Sequence, residues 1–391
     1  MDYKISNRMR DMKPSAIREI FKSLGKPGAI SFAAGNPSPL SFPVEAISAL
    51  SADILANDST TALQYGVTEG YLPLRGSVAA RLKSKFAIDT DSNTTIITTG
   101  GQQALELACK ALCNEGDVIL CEEPTFIGAL NAFRSIGAKP IGVPLENDGI
   151  NIEVLEEKLK TTPNVKMIYV IPTFQNPAGL TTSAEKRKKI YELAKKYDVV
   201  ILEDNPYGEL RFSGEDILPI KSMDTNGRVI YCGSFSKVLS AGIRVGFAVG
   251  GEEIIQKMVV AKQVEDVHTN VFFQMLCHRF LTEYDFDAHI QSIRDLYRHK
   301  ATLMIDALDR FMPKSVAFTR PEGGLFLWCT LPEGYSMSEY VKRAADNNVF
   351  VVPGVAFCCD TEGTSQSFRL NYSTPSDEDI TKGIEILGSL V

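Results

Sequence analysis

Tyr231-Cys232-Gly233-Ser234-Phe235-Ser236-Lys237 is the stretch on which the reading of the whole chain turns. Val229-Ile230-Tyr231 is a β-branched and aromatic run of the kind that fills a strand. The run breaks at Gly233, two serines flank Phe235, and a single lysine follows; Arg244 comes seven residues later in Ala241-Gly242-Ile243-Arg244-Val245-Gly246. A lysine just past the end of a strand, among small hydroxyl residues and near an arginine, suits a Schiff-base amine beside a phosphate site. Taken alone, Lys237 reads equally well as a solvated surface lysine, since most lysines are exposed. The choice depends on whether the partners of such chemistry occur elsewhere in the chain.

Strands and helices alternate on both sides of this stretch. Thr95-Ile96-Ile97-Thr98-Thr99, Val118-Ile119-Leu120, Lys166 to Ile171 and Val199-Val200-Ile201-Leu202 are short apolar runs separated by helical patterns. Continuous apolar runs of this kind predict a mostly parallel sheet covered by helices on both faces. The stretch 183–196 predicts a helix whose dense Lys/Arg face is solvated. From about residue 285 the character changes. A long charged helix over 285–311 precedes strand-like segments at 316–318, 323–328, 349–354 and 368–372. The expected organisation is α/β. Residues 1–44 form an N-terminal arm and part of a small domain, 45–285 a large domain with a mostly parallel mixed sheet, and 286–391 a smaller α+β domain. Within the arm, Ile17, Ile20, Phe21 and Leu24 make the apolar stripe of a helix over 14–24, with Arg18 on a different face.

The chain has 391 residues, 44% hydrophobic and 23% charged, with a formal charge of −7. That is ordinary globular composition, with no basic footprint for nucleic acid and no apolar run long enough for a bilayer. The N-terminus, Met1-Asp2-Tyr3-Lys4-Ile5-Ser6, lacks the apolar core of a signal peptide. Eight cysteines in 391 residues are too sparse for a disulfide scaffold and read as reduced, mostly buried thiols of a cytoplasmic protein. The four histidines lie on charged stretches that read as helical and form no metal-binding pattern.

The ends of the predicted strands carry the residues of interest. Gly100-Gly101-Gln102 follows a strand and opens a helix, so Gly101 and Gln102 would offer unpaired N–H groups to an anion. Many strand-to-helix turns look like this, and neither the P-loop nor the dinucleotide fingerprint is present. Phe126 follows the strand at 118, either as core or as a ring that covers a flat ligand. Asn176-Pro177-Ala178-Gly179 is a turn after the strand at 166. Asp204 and Tyr207 follow the strand at 199, at the end where open α/β sheets bind ligands. Glu203 has the opposite strand parity and points to the other face. Gly35, in Ile30 to Pro37, allows close approach to the backbone. Arg369 stands in the apolar strand Phe368 to Tyr372 and needs a partner, either a substrate carboxylate or an internal acid.

In this order, these motifs resemble those of the fold-type I pyridoxal 5'-phosphate (PLP) enzymes, the aminotransferases of class I/II. The likeness runs from about Arg18 to Arg369 and is closest to the 2-aminoadipate/kynurenine aminotransferase-like subgroup, through Leu63-Gln64-Tyr65-Gly66-Val67-Thr68-Glu69-Gly70 and the Arg18 helix. It implies a cytoplasmic, PLP-dependent transaminase that moves an amino group from a dicarboxylic, aromatic or branched L-amino acid to a 2-oxo acid such as 2-oxoglutarate. Lys237 would be the Schiff-base lysine, Asp204 the partner of the pyridine nitrogen, and Tyr207 and Asn176 partners of the phenolic oxygen. Phe126 would stack on the ring. Gly101, Gln102, Ser234, Ser236 and Arg244 would hold the phosphate, together with Tyr65 from the second subunit of a homodimer. Arg369, Asn176 and Gly35 would line the substrate site, and Arg18 would set selectivity. Lyases and decarboxylases of the same scaffold share the cofactor residues. A non-catalytic effector-binding regulator would need a DNA-binding region for which too few residues precede Gly35.

Overall fold

The computed structural model describes residues 3–10 and 28–391. Its centre is an eight-stranded sheet. In chain order the strands are β2 (Thr94–Thr98), β3 (Val118–Glu123), β4 (Lys139–Glu146), β5 (Gly149–Ile150), β6 (Val165–Val170), β7 (Val200–Asp204), β8 (Val229–Ser234) and β9 (Gly246–Gly250). They lie in the order β2-β9-β8-β7-β6-β3-β4-β5. Strands β8, β7, β6, β3 and β4 run parallel, while β9 is antiparallel to both its neighbours and β5 is antiparallel to β4. Asp204 and Ser234 therefore end neighbouring strands on one edge, and Thr98 and Gly246 pair on that same edge.

Side-chain alternation divides the core into two layers. Cys121, Tyr169, Leu202 and Ile230 pack into one cluster, with Leu105 and Ala108 of the helix Gly101–Leu112. Leu120, Ile168, Ile201 and Val229 pack into the other, with Leu155, Ile190 and Leu193. Both faces are thus covered, as continuous apolar strands require. Asp204 shares the parity of Leu202 and so faces the first layer. The Glu203 carboxylate turns to the second, where it accepts from Ile220 N and Lys221 N, each at 2.8 Å.

A four-stranded antiparallel sheet, β10-β11-β14-β13, is built from Ala317–Phe318 (β10), Phe326–Thr330 (β11), Val352–Pro353 (β13) and Ser367–Asn371 (β14). Ile30–Ser31 (β1) pairs in parallel with Val349–Phe350 (β12), which joins the segment before Gly35 to the C-terminal part of the chain. The long helix spans Phe286–Phe311, and the Asp285 side chain caps it by accepting from Ala288 N at 2.9 Å. Such a cap contributes about 1 kcal/mol.

Three details differ from the sequence expectations, and one expected element falls outside the described residues. His268 lies in the loop after the helix Glu252–Glu265, not on a helix. The strand expected at 323 starts only at Phe326, because Gly324 has φ +76° and breaks the extended run. The expected helix over 14–24, with Arg18, lies outside the described residues. The Lys/Arg face of Ala184–Lys196 is only partly solvated, since Arg187 is buried. Arg187 shares the inner stripe with Ile190, Tyr191 and Ala194, so helical position outweighs residue type. Its guanidinium donates to the carbonyls of Thr182 (2.9 Å), Pro172 (2.6 Å), Ile217 (3.2 Å) and Leu218 (3.0 Å), and to Thr173 Oγ1 (3.0 Å). It thereby fixes the loop that leads to Asn176. Among the described residues, no helix is long and apolar enough to cross a membrane, and no His/Cys/Asp/Glu cluster could hold a metal.

Candidate active site

A cavity of about 310 Å³, with polar and charged side chains set among apolar ones, opens at the ligand-binding edge of the large sheet. Its wall includes Gly35, Gly101, Gln102, Phe126, Asn176, Asp204, Tyr207, Ser234, Ser236, Lys237, Arg244 and Arg369. These residues come from turns spread over more than 300 positions of chain, and the strand ends gather them. Asn36, Leu105, Ile171, Pro206 and Phe326 complete the wall and were not anticipated. A smaller cavity of about 50 Å³ behind Ser234 is lined mainly by aromatic and aliphatic side chains, including Phe86, Tyr231 and Phe247. Its charged members, Arg81 and Glu209, are paired with each other. The 310 Å³ cavity, by contrast, gathers Lys237, Asp204, Arg244 and Arg369 on one wall.

Four ionisable groups on this wall are shifted from their usual range: Lys237, Asp204, Tyr207 and Arg369. Burial, aided by the positive charges of Arg369 and Arg244, lowers the Lys237 amine to about 8. Its Nζ donates to Gly35 O at 2.6 Å. Burial raises the Asp204 carboxyl to about 7, against the opposing effect of Tyr169, whose hydroxyl donates to Oδ2 at 2.8 Å. A buried carboxylate in this position gains from a cation placed before it. Burial, with Asp204's charge adding to it, also pushes the Tyr207 phenol up.

Arg369 is a buried cation without an acidic partner among the described residues. It donates from Nη1 to Asn176 Oδ1 and from Nη2 to Ala33 O, both at 2.8 Å. The rings of Phe326 and Phe357 lie 4.3 and 4.9 Å from its guanidinium carbon. Its Nε is buried and makes no hydrogen bond. Burial lowers its pKa to about 10. A guanidinium held in this way, with a donor to spare, is built to receive a carboxylate.

The other end of the cavity is an anion cup. The helix Gly101–Leu112 has Gly100 at its N-cap, with φ +77° and no side chain to cap the first amides. Those N–H groups and the positive helix end are left for a ligand. Ser234 Oγ donates to Ser236 Oγ at 2.9 Å, and Arg244 reaches Ser236 Oγ at 3.5 Å and Thr99 O at 3.4 Å. Arg244 has φ +54°, a conformation that costs a non-glycine residue about 1–3 kcal/mol and is kept where function over-determines it. Gly246 is required by close approach, since a Cβ there would lie 2.6 Å from Gly100 C and 2.7 Å from Gly101 N.

Glu122 is a buried carboxyl that sequence reading missed. It accepts from Ile171 N (3.0 Å) and Gln175 Nε2 (3.2 Å), and burial raises it to about 8. Gln175 also donates to Pro124 O at 2.7 Å and so ties the Phe126 turn to the Asn176 turn. The only hint in sequence is that Glu122 directly continues the apolar run Val118 to Cys121, and in the structure it is buried with that run while Glu123 is half-buried.

Of the expected site residues, one described residue, Tyr65, is not on the cavity wall. Arg18 lies outside the described residues. Tyr65 is 81% exposed, lines a separate groove with Val67, Tyr71 and Leu72, and meets the His268 ring edge-on at 5.7 Å. The cavity groups fit pyridoxal phosphate. The cup of free amides, serines and Arg244 suits a phosphate, Asp204 a ring cation and the low-pKa Lys237 an aldehyde, while the unpaired Nε of Arg369 suits the carboxylate of an amino acid.

The family model described as aminotransferase class I and II matches residues 27–387. An aromatic-amino-acid aminotransferase 1 from Thermococcus litoralis is 41% identical over 397 residues, spanning 100% of this chain and 95% of its own length. A 2-aminoadipate transaminase from Thermus thermophilus is 42% identical over 383 residues, spanning 96% and 94%. Among solved structures, the kynurenine aminotransferase of Pyrococcus horikoshii, in complex with PMP, KYN as substrates and KYA as products, has a TM-score of 0.95 at 40% identity, covering 99% of this chain and 96% of that one.

Proposed function

The chain belongs to the class I and II aminotransferases, and on that footing we propose that it moves an amino group from a dicarboxylic, aromatic or branched L-amino acid to a 2-oxo acid, with 2-oxoglutarate as acceptor. It is a PLP-dependent enzyme. The observation that carries the residue assignments is one cavity holding a lysine amine near pKa 8, a buried carboxyl and a buried, acid-free arginine.

When bound, the cofactor supplies an aldehyde that takes up amino groups and a cationic ring that accepts the electrons of a breaking Cα–H bond. Lys237 Nζ, neutral in a large fraction of molecules near pH 8, would hold the cofactor between turnovers and is placed to carry a proton to and from the substrate Cα. Asp204 keeps a positive charge in front of its carboxylate. Tyr207 and Asn176 would bond the phenolic oxygen, and Phe126 would cover the ring face. The amides of Gly101 and Gln102 would hold the phosphate, together with Ser234, Ser236 and Arg244. Arg369 grips the α-carboxylate, and this orients the Cα–H bond for transfer. Gly35 leaves room beside it.

Substrate range is proposed from the names of the relatives at 41% and 42% identity. Among the described residues, the guanidinium groups on the cavity wall are Arg244, at the cup, and Arg369. A distal carboxylate therefore needs another cation, and Arg18 is the candidate. Screening amino donors against 2-oxoglutarate and pyruvate tests the range. Failure of every dicarboxylic, aromatic and branched donor would overturn it. Arg18→Ala raises KM for dicarboxylic donors by about tenfold, the value of a lost charge-assisted hydrogen bond, and leaves apolar donors unchanged. An equal rise for both would remove Arg18 from the selectivity role.

A homodimer in which Tyr65 serves the partner's phosphate cup accounts for an otherwise costly surface. Leu63, Tyr65, Val67 and Leu72 are between 61% and 81% exposed. Cytoplasmic residence is proposed from the free thiols, of which all but Cys358 are buried. The division into an arm (1–44), a large domain (45–285) and a small domain (286–391) is proposed on the separation of the two main sheets.

A further inference from the structure

Behind the anion cup lies a polar network that the chemistry above does not use, with Lys262 and Gln103 buried and Thr99 and Asp266 half-buried. Gln103 occupies the third position of the helix Gly101–Leu112. In a capping box, the side chain at this position reaches back to the turn before the helix, while the cap residue's own side chain covers the first amides. Here only a variant of the first half occurs, reaching Thr99 N, one residue before the cap residue Gly100. Gln103 Oε1 accepts from Thr99 N at 2.8 Å, and Gly100, having no side chain, leaves the front of the cup open. The turn is thus shaped from behind while its amides stay free.

What fixes Gln103 comes from far along the chain. Lys262 Nζ, fully buried, donates to Gln103 Oε1 at 2.7 Å and to Asp266 Oδ1 and Oδ2 at 2.8 and 2.9 Å. Gln103 Nε2 donates to Asp266 Oδ2 at 2.9 Å and to Glu265 Oε2 at 3.1 Å. Thr99 Oγ1 donates to the same Asp266 oxygen at 2.7 Å. Every polar group of Thr99 is therefore engaged: its N–H by Gln103, its hydroxyl by Asp266, and its carbonyl by Arg244 at 3.4 Å.

From this we infer that Thr99, Gln103, Lys262 and Asp266 form a positioning network for the cofactor's phosphate. The inference rests on the cup reading given above. The Lys262–Asp266 pair, with Lys262 buried and the Asp266 side chain 29% exposed, is weak evidence of a role in stability, because desolvating the ammonium offsets much of the attraction. Apolar packing lacks direction, whereas this network aims two things at one point. It sets the Thr99–Gly100 turn, and hence the Gly101 and Gln102 amides, and it presents the Thr99 carbonyl that holds Arg244 over the cup. None of the four is a catalytic residue; they act through Gly101, Gln102 and Arg244.

The test separates phosphate positioning from general damage to the fold. Full-length protein stripped of cofactor is titrated with PLP and, separately, with pyridoxal, which lacks the phosphate, and binding is followed by absorbance. In the wild type PLP binds far more tightly. Thr99→Val raises the PLP dissociation constant roughly tenfold, as one lost hydrogen bond to a charged group predicts, leaves that of pyridoxal within about twofold, and Thr99→Ser restores the wild-type value. Gln103→Leu acts in the same direction and more strongly. If both variants bind PLP like the wild type, or weaken PLP and pyridoxal equally, the positioning role is overturned. If the wild type itself binds the two ligands equally, the cup assignment fails first, and the network falls with it.

Discussion

A Lys237→Ala variant loses transamination by about 10⁴-fold or more, the upper range for removing a group that serves in proton transfer. It also leaves no cofactor fixed to the chain after borohydride treatment. Both results follow from one side chain. The Lys237 amine lies on the cavity wall with Arg369 and Arg244, and burial together with these charges brings its pKa to about 8. Only the neutral amine attacks an aldehyde, so capture of cofactor by the stripped wild type rises with pH through about 8 and levels off above it. A solvated lysine would rise through its ordinary pKa of 10.5 instead. Wild-type turnover in the variant, or a capture profile still climbing near 10.5, would remove Lys237 from its role.

Asp204→Asn is expected to cost on the order of 10²–10³-fold in kcat, with KM changed much less. Removing one partner of a buried charge pair costs about 3–5 kcal/mol, and each 1.4 kcal/mol is about tenfold in rate. Burial raises the carboxyl to about 7 in the free protein, so its ionised form is stabilised by whatever cation stands before it. The neighbouring Glu203→Gln supplies the control. That carboxylate lies on the opposite face, bonded to Ile220 N and Lys221 N, and its loss affects stability rather than turnover. If the two variants have the same kinetic effect, the face assignment behind this prediction is wrong.

The difference between Asp204 and Glu203 was legible in the sequence because strand side chains alternate with a period of two and the apolar run before them fixes the phase. The cavity residues Lys237, Asn176 and Arg369 were legible for a related reason: each follows or interrupts an apolar run in a way that core packing does not explain. Arg187 was misread because its residue type suggested solvent, while its helical position placed it in the inner stripe. Strand β9 went unnoticed because Gly246 and Gly250 dilute its apolar signal; Gly246 is there for the backbone approach to Gly100. The Lys262 network could not be seen at all. Lys262 meets Gln103 across 159 positions of chain, and nothing near either residue marks the other as its partner.

The most direct measurement is a half-reaction. Holoenzyme is mixed with an excess of one amino donor and no acceptor, then with 2-oxoglutarate, while the cofactor's visible band and the products are followed. The expected result is bleaching with release of the donor's 2-oxo acid, then recovery of the band with formation of glutamate. A band that no donor bleaches, or release of ammonia or carbon dioxide in place of the exchange, would contradict an aminotransferase working through Lys237.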